Sequence, residues 1–192
     1  MEKGKIAPRP EVLIIGGSAG SLEVLLKIFP GIRADLAFAL VLVLHRKNSS
    51  DSMLSDLLGS RTTLPVKETE DKQPMAPGHV YIAPADYHLL FENDRTLSLD
   101  YSEKINFSRP SLDVTFESGA EVFGPAVVCL LLSGANADGV AGLKLVKEKG
   151  GLVAVQDPST ALTPFMPGQA ILQVDVDQVL KPEAIAGFIN SL

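Results

Sequence analysis

Three residues able to share one hydrolysis, Ser18, His45 and Asp138, each come soon after a segment that reads as a strand. A serine hydroxyl is a weak nucleophile until a neighbouring base takes its proton. Histidine is the usual base, and an acid behind it holds the imidazole in the required tautomer. Ser18 follows residues 12–15 after two glycines, His45 directly closes residues 37–44, and Asp138 lies six residues beyond Leu132. In a parallel α/β sheet reactive groups gather at the carboxyl ends of the strands. Neighbouring strands run about 4.8 Å apart, so side chains leaving adjacent strand ends can meet.

Each assignment has a plainer rival. Gly16-x-Ser18-x-Gly20 fits a nucleophile elbow, but glycines at a helix start also present free N–H groups to any anion. A dinucleotide fingerprint is disfavoured, because serines stand at 18 and 21 and the second strand ends in His45 rather than an acid. No Gly-Lys-Ser/Thr follows, which excludes a P-loop. Asp138 can simply cap the helix after it, and Asp157, after residues 152–155, is a rival acid on the same edge. His79 and His88 read as surface or hydrogen-bonded residues of the β-rich middle. No Cys/His cluster has metal-ligand spacing, so no metal is expected. The order Ser, His, Asp also departs from that of ordinary α/β-hydrolases, where the acid precedes the histidine.

The elements that must position these groups are legible in the hydropathy pattern. Residues 12–15, 37–44, 126–132 and 152–155 are short apolar runs suited to strands covered on both faces. Leu22, Leu25, Leu26 and Phe29 mark a first helix with Ser21 as its cap, stopped by Pro30-Gly31. Met53, Leu54, Leu57 and Leu58 mark a second, capped by Ser50 or Asp51. Residues 79–83, 87–91 and 96–99 predict a small antiparallel insertion with a turn at Asn93-Asp94. Ser111 is placed to cap a further helix with Asp113 in its first turn, where an acid complements the helix dipole. Asp138 opens a helix ending at Gly150-Gly151, a strand lies near Val179, and Ile185, Phe188, Ile189 and Leu192 mark the last helix. Strands alternating with helices predict an α/β fold: a doubly wound, mostly parallel sheet flanked by helices, with the antiparallel insertion mid-chain.

Composition narrows the classes further. The chain has 192 residues, 46% hydrophobic and 21% charged, as in a single globular domain. Its net charge of −6 argues against nucleic acid as a partner. No apolar run exceeds nine residues, about half of a membrane span. No signal peptide opens it, and the single cysteine, Cys129, sits inside an apolar run as a core residue. A cytoplasmic protein is expected.

Ordered motifs then carry a resemblance over residues 11–192. Ile15-Gly16-Gly17-Ser18-Ala19-Gly20 comes first, then Val43-Leu44-His45 and Pro77-Gly78-His79-Val80-Tyr81-Ile82-Ala83-Pro84. His88-Leu89, Arg109-Pro110-Ser111-Leu112-Asp113, Leu132-Ser133-Gly134 with Ala137-Asp138-Gly139, and Met166-Pro167 follow. The chain resembles the catalytic domain of the chemotaxis receptor methylesterases, the protein-glutamate methylesterase family. The resemblance implies a serine esterase with Ser18 as nucleophile, His45 as general base and Asp138 as orienting acid. It implies backbone oxyanion donors at Ala19 and Ala135, and substrate-side roles for His88 and Arg109. No cofactor is implied. The reaction would restore glutamate from its methyl ester on methylated chemoreceptor helices, and the same site could deamidate glutamine. The chain differs from the family pattern at Ala19, Ser21 and Ala135-Asn136, so a second reading is a weakly active or non-catalytic module that binds a receptor or a receptor methyltransferase. The family usually carries an N-terminal receiver domain. Residues 1–10 are read as a tail and 11–192 as one catalytic domain, either free-standing or excised.

Overall fold

The computed structural model describes residues 8–46 and 52–192. Among them the strands are β1 (Val12–Gly17), β2 (Ala39–Leu44), β3 (Val66–Glu68), β4 (Gln73–Pro74), β5 (Val80–Ile82), β6 (His88–Phe91), β7 (Thr96–Asp100), β8 (Val127–Leu131), β9 (Leu152–Gln156) and β10 (Gln178–Leu180). The helices are α1 (Ser21–Ile28), α2 (Ser52–Gly59), α3 (Leu112–Phe123), α4 (Val140–Glu148), α5 (Phe165–Gln173) and α6 (Pro182–Ser191). The predicted caps of α2, Ser50 and Asp51, lie outside the described residues, as does most of the predicted tail.

Seven strands form one sheet in the order β10-β9-β8-β1-β2-β5-β3, and every pairing in it is parallel. From β1 the chain passes to β2 and on to the edge strand β3, comes back as β5 between those two, and later builds the other flank as β8, β9 and β10. The reversal falls beside β1, and the crevice at that switch point is where a doubly wound sheet holds its ligand. In register, Gly17 of β1 lies level with Leu44 of β2. Ser18 and His45 therefore leave the sheet side by side.

Alternation along each strand splits the core in two. Val12, Ile14, Val41, Val43, Cys129 and Leu131 face a layer that includes Leu112, Phe116 and Ala120 of α3 and Leu143 of α4. Leu13, Ile15, Leu40, Leu42, Val128 and Leu130 face a layer that includes Leu25 of α1 and Ile185 and Ile189 of α6. These are the short all-apolar strands that only a sheet covered on both faces can bury. Phe116 is wholly buried, and truncating such a ring to alanine costs about 3–5 kcal/mol. Cys129 is part of this core, where burial raises its thiol pKa well above the ordinary value.

Two expectations need correction here. Residues 79–83 do not join the antiparallel insertion: β5 pairs parallel with β2 and β3 inside the main sheet. The small sheet is instead β4-β7-β6, antiparallel throughout. Its hairpin β6–β7 packs Leu89, Phe91 and Leu97 against α3. The three residues of β5 are buried on both faces, which a three-residue segment cannot reveal by alternation. Ser21 does not cap α1 either. Gly20, at φ +87°, is the N-cap, a left-handed conformation that glycine adopts without penalty. The Ser21 hydroxyl is turned away and donates to the Ser133 carbonyl at 2.8 Å.

Candidate active site

The carboxyl ends of β1, β2 and β8 bring the three proposed groups to one edge of the sheet. The His45 N–H donates to the Gly17 carbonyl at 3.0 Å, and the Ser18 N–H donates to the Ser133 carbonyl at 2.8 Å. The Gly17-Ser18 peptide thus bridges the histidine strand and the loop that leads to Asp138. Gly16 lets the end of β1 press against α3, since a Cβ there would lie 2.8 Å from Phe116 Cζ. Ser133 is the buried hub of the loops: its hydroxyl donates to the Ala19 carbonyl at 2.6 Å and accepts from the Thr163 N–H at 2.9 Å.

His45 and Asp138 are already paired. His45 Nε2 lies 2.7 Å from Asp138 Oδ2. A carboxylate only accepts, so Nε2 carries the hydrogen and Nδ1 keeps the free lone pair. Ser108 Oγ stands 3.5 Å from that Nδ1, the outer limit of a useful contact. The Ser18 hydroxyl makes no hydrogen bond to His45. Catalytic links of this kind are often long before substrate binds.

Asp138 is 1% exposed and is surrounded by donors. Besides His45 it accepts from the Leu112 N–H at 2.7 Å, the Ser111 hydroxyl at 2.8 Å and the Asn106 amide at 2.9 Å. A longer bond of 3.3 Å comes from the Asp113 N–H. Burial alone would raise its pKa. The hydrogen bonds from His45, Asn106 and Leu112 outweigh burial and hold the carboxyl below its ordinary value. The plainer role expected for Asp138 is overturned in an instructive way. It does not cap its own helix α4, whose N-cap is Gly139 at φ +98°. It receives the free N–H groups at the start of α3, where the helix dipole favours a negative charge. Asp157 is no rival, because its side chain caps the turn Pro158–Thr160 by accepting from the Ser159 N–H.

Three participants escape sequence reasoning. Asn106 donates from Nδ2 to both Asp138 Oδ1 and Asp113 Oδ2, the latter at 2.8 Å. Asp113 is 7% exposed and also accepts from the Gly142 N–H at 2.8 Å. Burial, with repulsion from Asp138, pushes its pKa from 3.8 up to about 6. Ser108 closes a turn with Ile105 through reciprocal backbone bonds of 3.1 and 2.9 Å. Both central residues, Asn106 and Phe107, are left-handed, at φ +51° and +61°. Glycine usually takes the second place of such a turn, and a bulky side chain there costs about 1–2 kcal/mol. Only the adjoining motif at residues 109–113 hints at this cluster in the sequence; nothing marks Asn106.

The remaining candidates divide. Arg109 reaches the recess of about 430 Å³ that His45, Lys104 and Ser108 also line. Its guanidinium lies 3.9 Å over the Tyr101 ring and donates to the Ser102 carbonyl at 2.8 Å. His88 is corrected: it is 0% exposed, its Nδ1 accepts from the Ser111 N–H and its Nε2 donates to the Glu103 carbonyl. With both nitrogens spent on backbone it braces the start of α3 and touches no substrate. Gly134 commits its N–H to the Thr163 carbonyl. With the Ser18 N–H also taken, Ala19 and Ala135, both exposed residues, stay as the candidate oxyanion donors. No helix among the described residues is long and apolar enough to cross a membrane.

Known proteins resemble this chain in sequence and fold. Residues 13–189 match the model of the CheB methylesterase family. A Leptospira interrogans protein, provisionally named a protein-glutamate methylesterase/protein-glutamine glutaminase, is 43% identical over 92% of this chain and 91% of its own. A Thermotoga maritima protein of that name, without the proviso, is 35% identical, and this chain spans 52% of its length. The crystal structure of the T. maritima CheB methylesterase catalytic domain superposes with a TM-score of 0.91 at 33% identity, covering 96% of this chain and 99% of that one. A family match over nearly the whole chain, with the same fold at that identity, leaves one conclusion: this chain belongs to the CheB methylesterase family.

Proposed function

We propose that residues 11–192 form one catalytic unit that hydrolyses glutamate γ-methyl esters on methylated chemoreceptor helices and deamidates glutamine at the same site. The observation that carries this is the 2.7 Å pair of His45 and a buried, multiply bonded Asp138, set beside Ser18 at the sheet's switch point. Because Asp138 holds Nε2, the base is Nδ1. Ser18 Oγ would approach that nitrogen and replace the weak contact from Ser108. His45 takes the hydroxyl proton at Nδ1 as Oγ attacks the ester carbonyl. The oxyanion meets the Ala19 and Ala135 N–H groups, each such donor being worth about 10²–10³ in rate. The imidazolium then protonates the departing methoxide, and methanol leaves. Water, deprotonated by His45, attacks the acyl-enzyme, restores the Ser18 hydroxyl and releases the glutamate carboxylate. With glutamine the leaving group is ammonia.

Arg109 at the recess rim is the substrate-side group in this reading, which places the protein in the cytoplasm. No feature of the site favours the rival reading, a binding module for a receptor methyltransferase. The test is methanol release from a methylated receptor fragment by the parent and by Ser18→Ala. Release by the parent alone supports the assignment. Equal release by both removes Ser18 from its role, and no release by the parent overturns the activity.

A further inference from the structure

We propose that the turn at Asn106-Phe107 is the docking element for the protein substrate, with Phe107 packing against an apolar side chain beside the glutamate to be processed. The inference rests on the esterase reading above and identifies what holds the substrate segment over the site. Phe107 is 98% exposed in a backbone conformation that disfavours it. It receives no packing in return, so neither the core nor the turn explains an aromatic residue there. Left-handed residues of this kind persist only where their surroundings enforce them, and they cluster at functional sites.

The enforcement is visible. Asn106 is tied to both Asp113 and Asp138, so the turn is bolted to the proposed catalytic acid. Phe107 consequently projects at the edge of the recess that it lines with His45 and Ser108. A segment whose ester reaches His45 must lie close to that ring. Across the nucleophile's turn stands a second exposed apolar residue, Leu162, 70% exposed and packed so close to Gly20 that a Cβ there would meet it at 2.6 Å. Charge selects the occupant. Lys104 and Arg109 line the recess with one carboxylate, Asp86, while Arg46 at the same wall is paired with Glu68 at 2.9 Å. An exposed ring beside cationic Lys104 and Arg109, with Leu162 near the nucleophile's turn, fits an amphipathic helix whose free acidic side chains neighbour the neutral esterified glutamate, the segment the esterase reading requires.

The test compares the parent with Phe107→Gly, which removes the ring and relaxes the turn. Substrates are a methylated receptor fragment and the γ-methyl ester of N-acetylglutamate amide. We expect the ratio of kcat/KM for the fragment to that for the small ester to fall about 10-fold, the loss typical of an interface anchor. The loss should lie in KM for the fragment, and the variant's Tm should equal or exceed the parent's. Binding of the fragment to Ser18→Ala and to Ser18→Ala/Phe107→Gly, by fluorescence anisotropy, separates this idea from the esterase reading. Weaker binding by the double variant supports docking even if the parent releases no methanol. An unchanged ratio with unchanged binding overturns it. So does an equal loss on both substrates with a lower Tm, which makes Phe107 structural. A parent dimer that Phe107→Gly dissociates overturns it too, assigning the ring to a second copy.

Discussion

Asp113→Asn should stabilise this protein relative to the parent as pH rises from about 4 to about 7. The Asp113 carboxyl is buried beside Asp138, and its pKa is pushed from 3.8 to about 6, by burial above all. The unfolded chain releases this proton near 3.8, whereas the folded chain keeps it to about 6. Between those values the folded state binds more protons than the unfolded one, so stability falls as pH rises through the window. The shift corresponds to at most about 3 kcal/mol, and partial solvent screening of the carboxyl reduces it to about 1–2 kcal/mol. Asparagine has no proton to lose. Its amide does turn a donor toward the Asn106 amide, but that penalty is the same at every pH. Asp138 works in the opposite sense: its pKa is depressed, so its contribution is present above 3.8 and is lost only as pH falls below that value. Glu117, which burial also raises, is common to both proteins. The assay is thermal unfolding of parent and variant at four pH values across the window. For a chain of this size the difference in Tm should grow by about 2–8 °C. A difference that stays flat would refute the reasoning, because it would mean that Asp113 titrates alike in both states.

Three further outcomes follow from the same geometry. Asp138→Asn puts an amide N–H where two oxygens now accept from His45, Asn106, Ser111 and Leu112; kcat should fall by about 10⁴, as when a triad acid is neutralised, and the Tm should fall with the lost contacts to α3. Gly134→Ala sets a Cβ 2.5 Å from Met166 Cε and 3.1 Å from Ser18 Cβ; the thioether tip can swing aside but the strand-to-helix turn cannot, so steady-state kinetics should show about a 10²-fold drop in kcat. Ser21→Ala strips the buried Ser133 carbonyl of its side-chain donor and should cost about 1–3 kcal/mol in a urea titration, with unchanged kcat/KM counting against the link between the two loops.

The sequence by itself was enough for five of the seven strands of the main sheet and for bringing the three groups to its edge. Runs such as 12–15 and 126–132 are apolar without alternation, and only a two-faced parallel sheet buries such runs. Once the sheet is parallel, a serine and a histidine directly after two of its strands must share an edge. What lay beyond reach were facts set by long-range contact. Three-residue β5 carries no periodicity that could separate it from the nearby hairpin; its place comes from backbone bonds to Leu40 and Leu42. His88 reads equally as a surface or a hydrogen-bonded residue, and only the fold shows that a backbone acceptor at residue 103 and a backbone donor at residue 111 enclose it. Asp138 is the clearest case. Locally it is a helix cap, and only the docking of α3 turns its carboxylate from its own helix to another's N-terminus, where five donors hold it ionised behind His45. Asn106 and Asp113 join it only through that packing. Periodicity reports which face of an element is buried, whereas hydrogen-bond partners depend on where elements far apart in the chain come to rest.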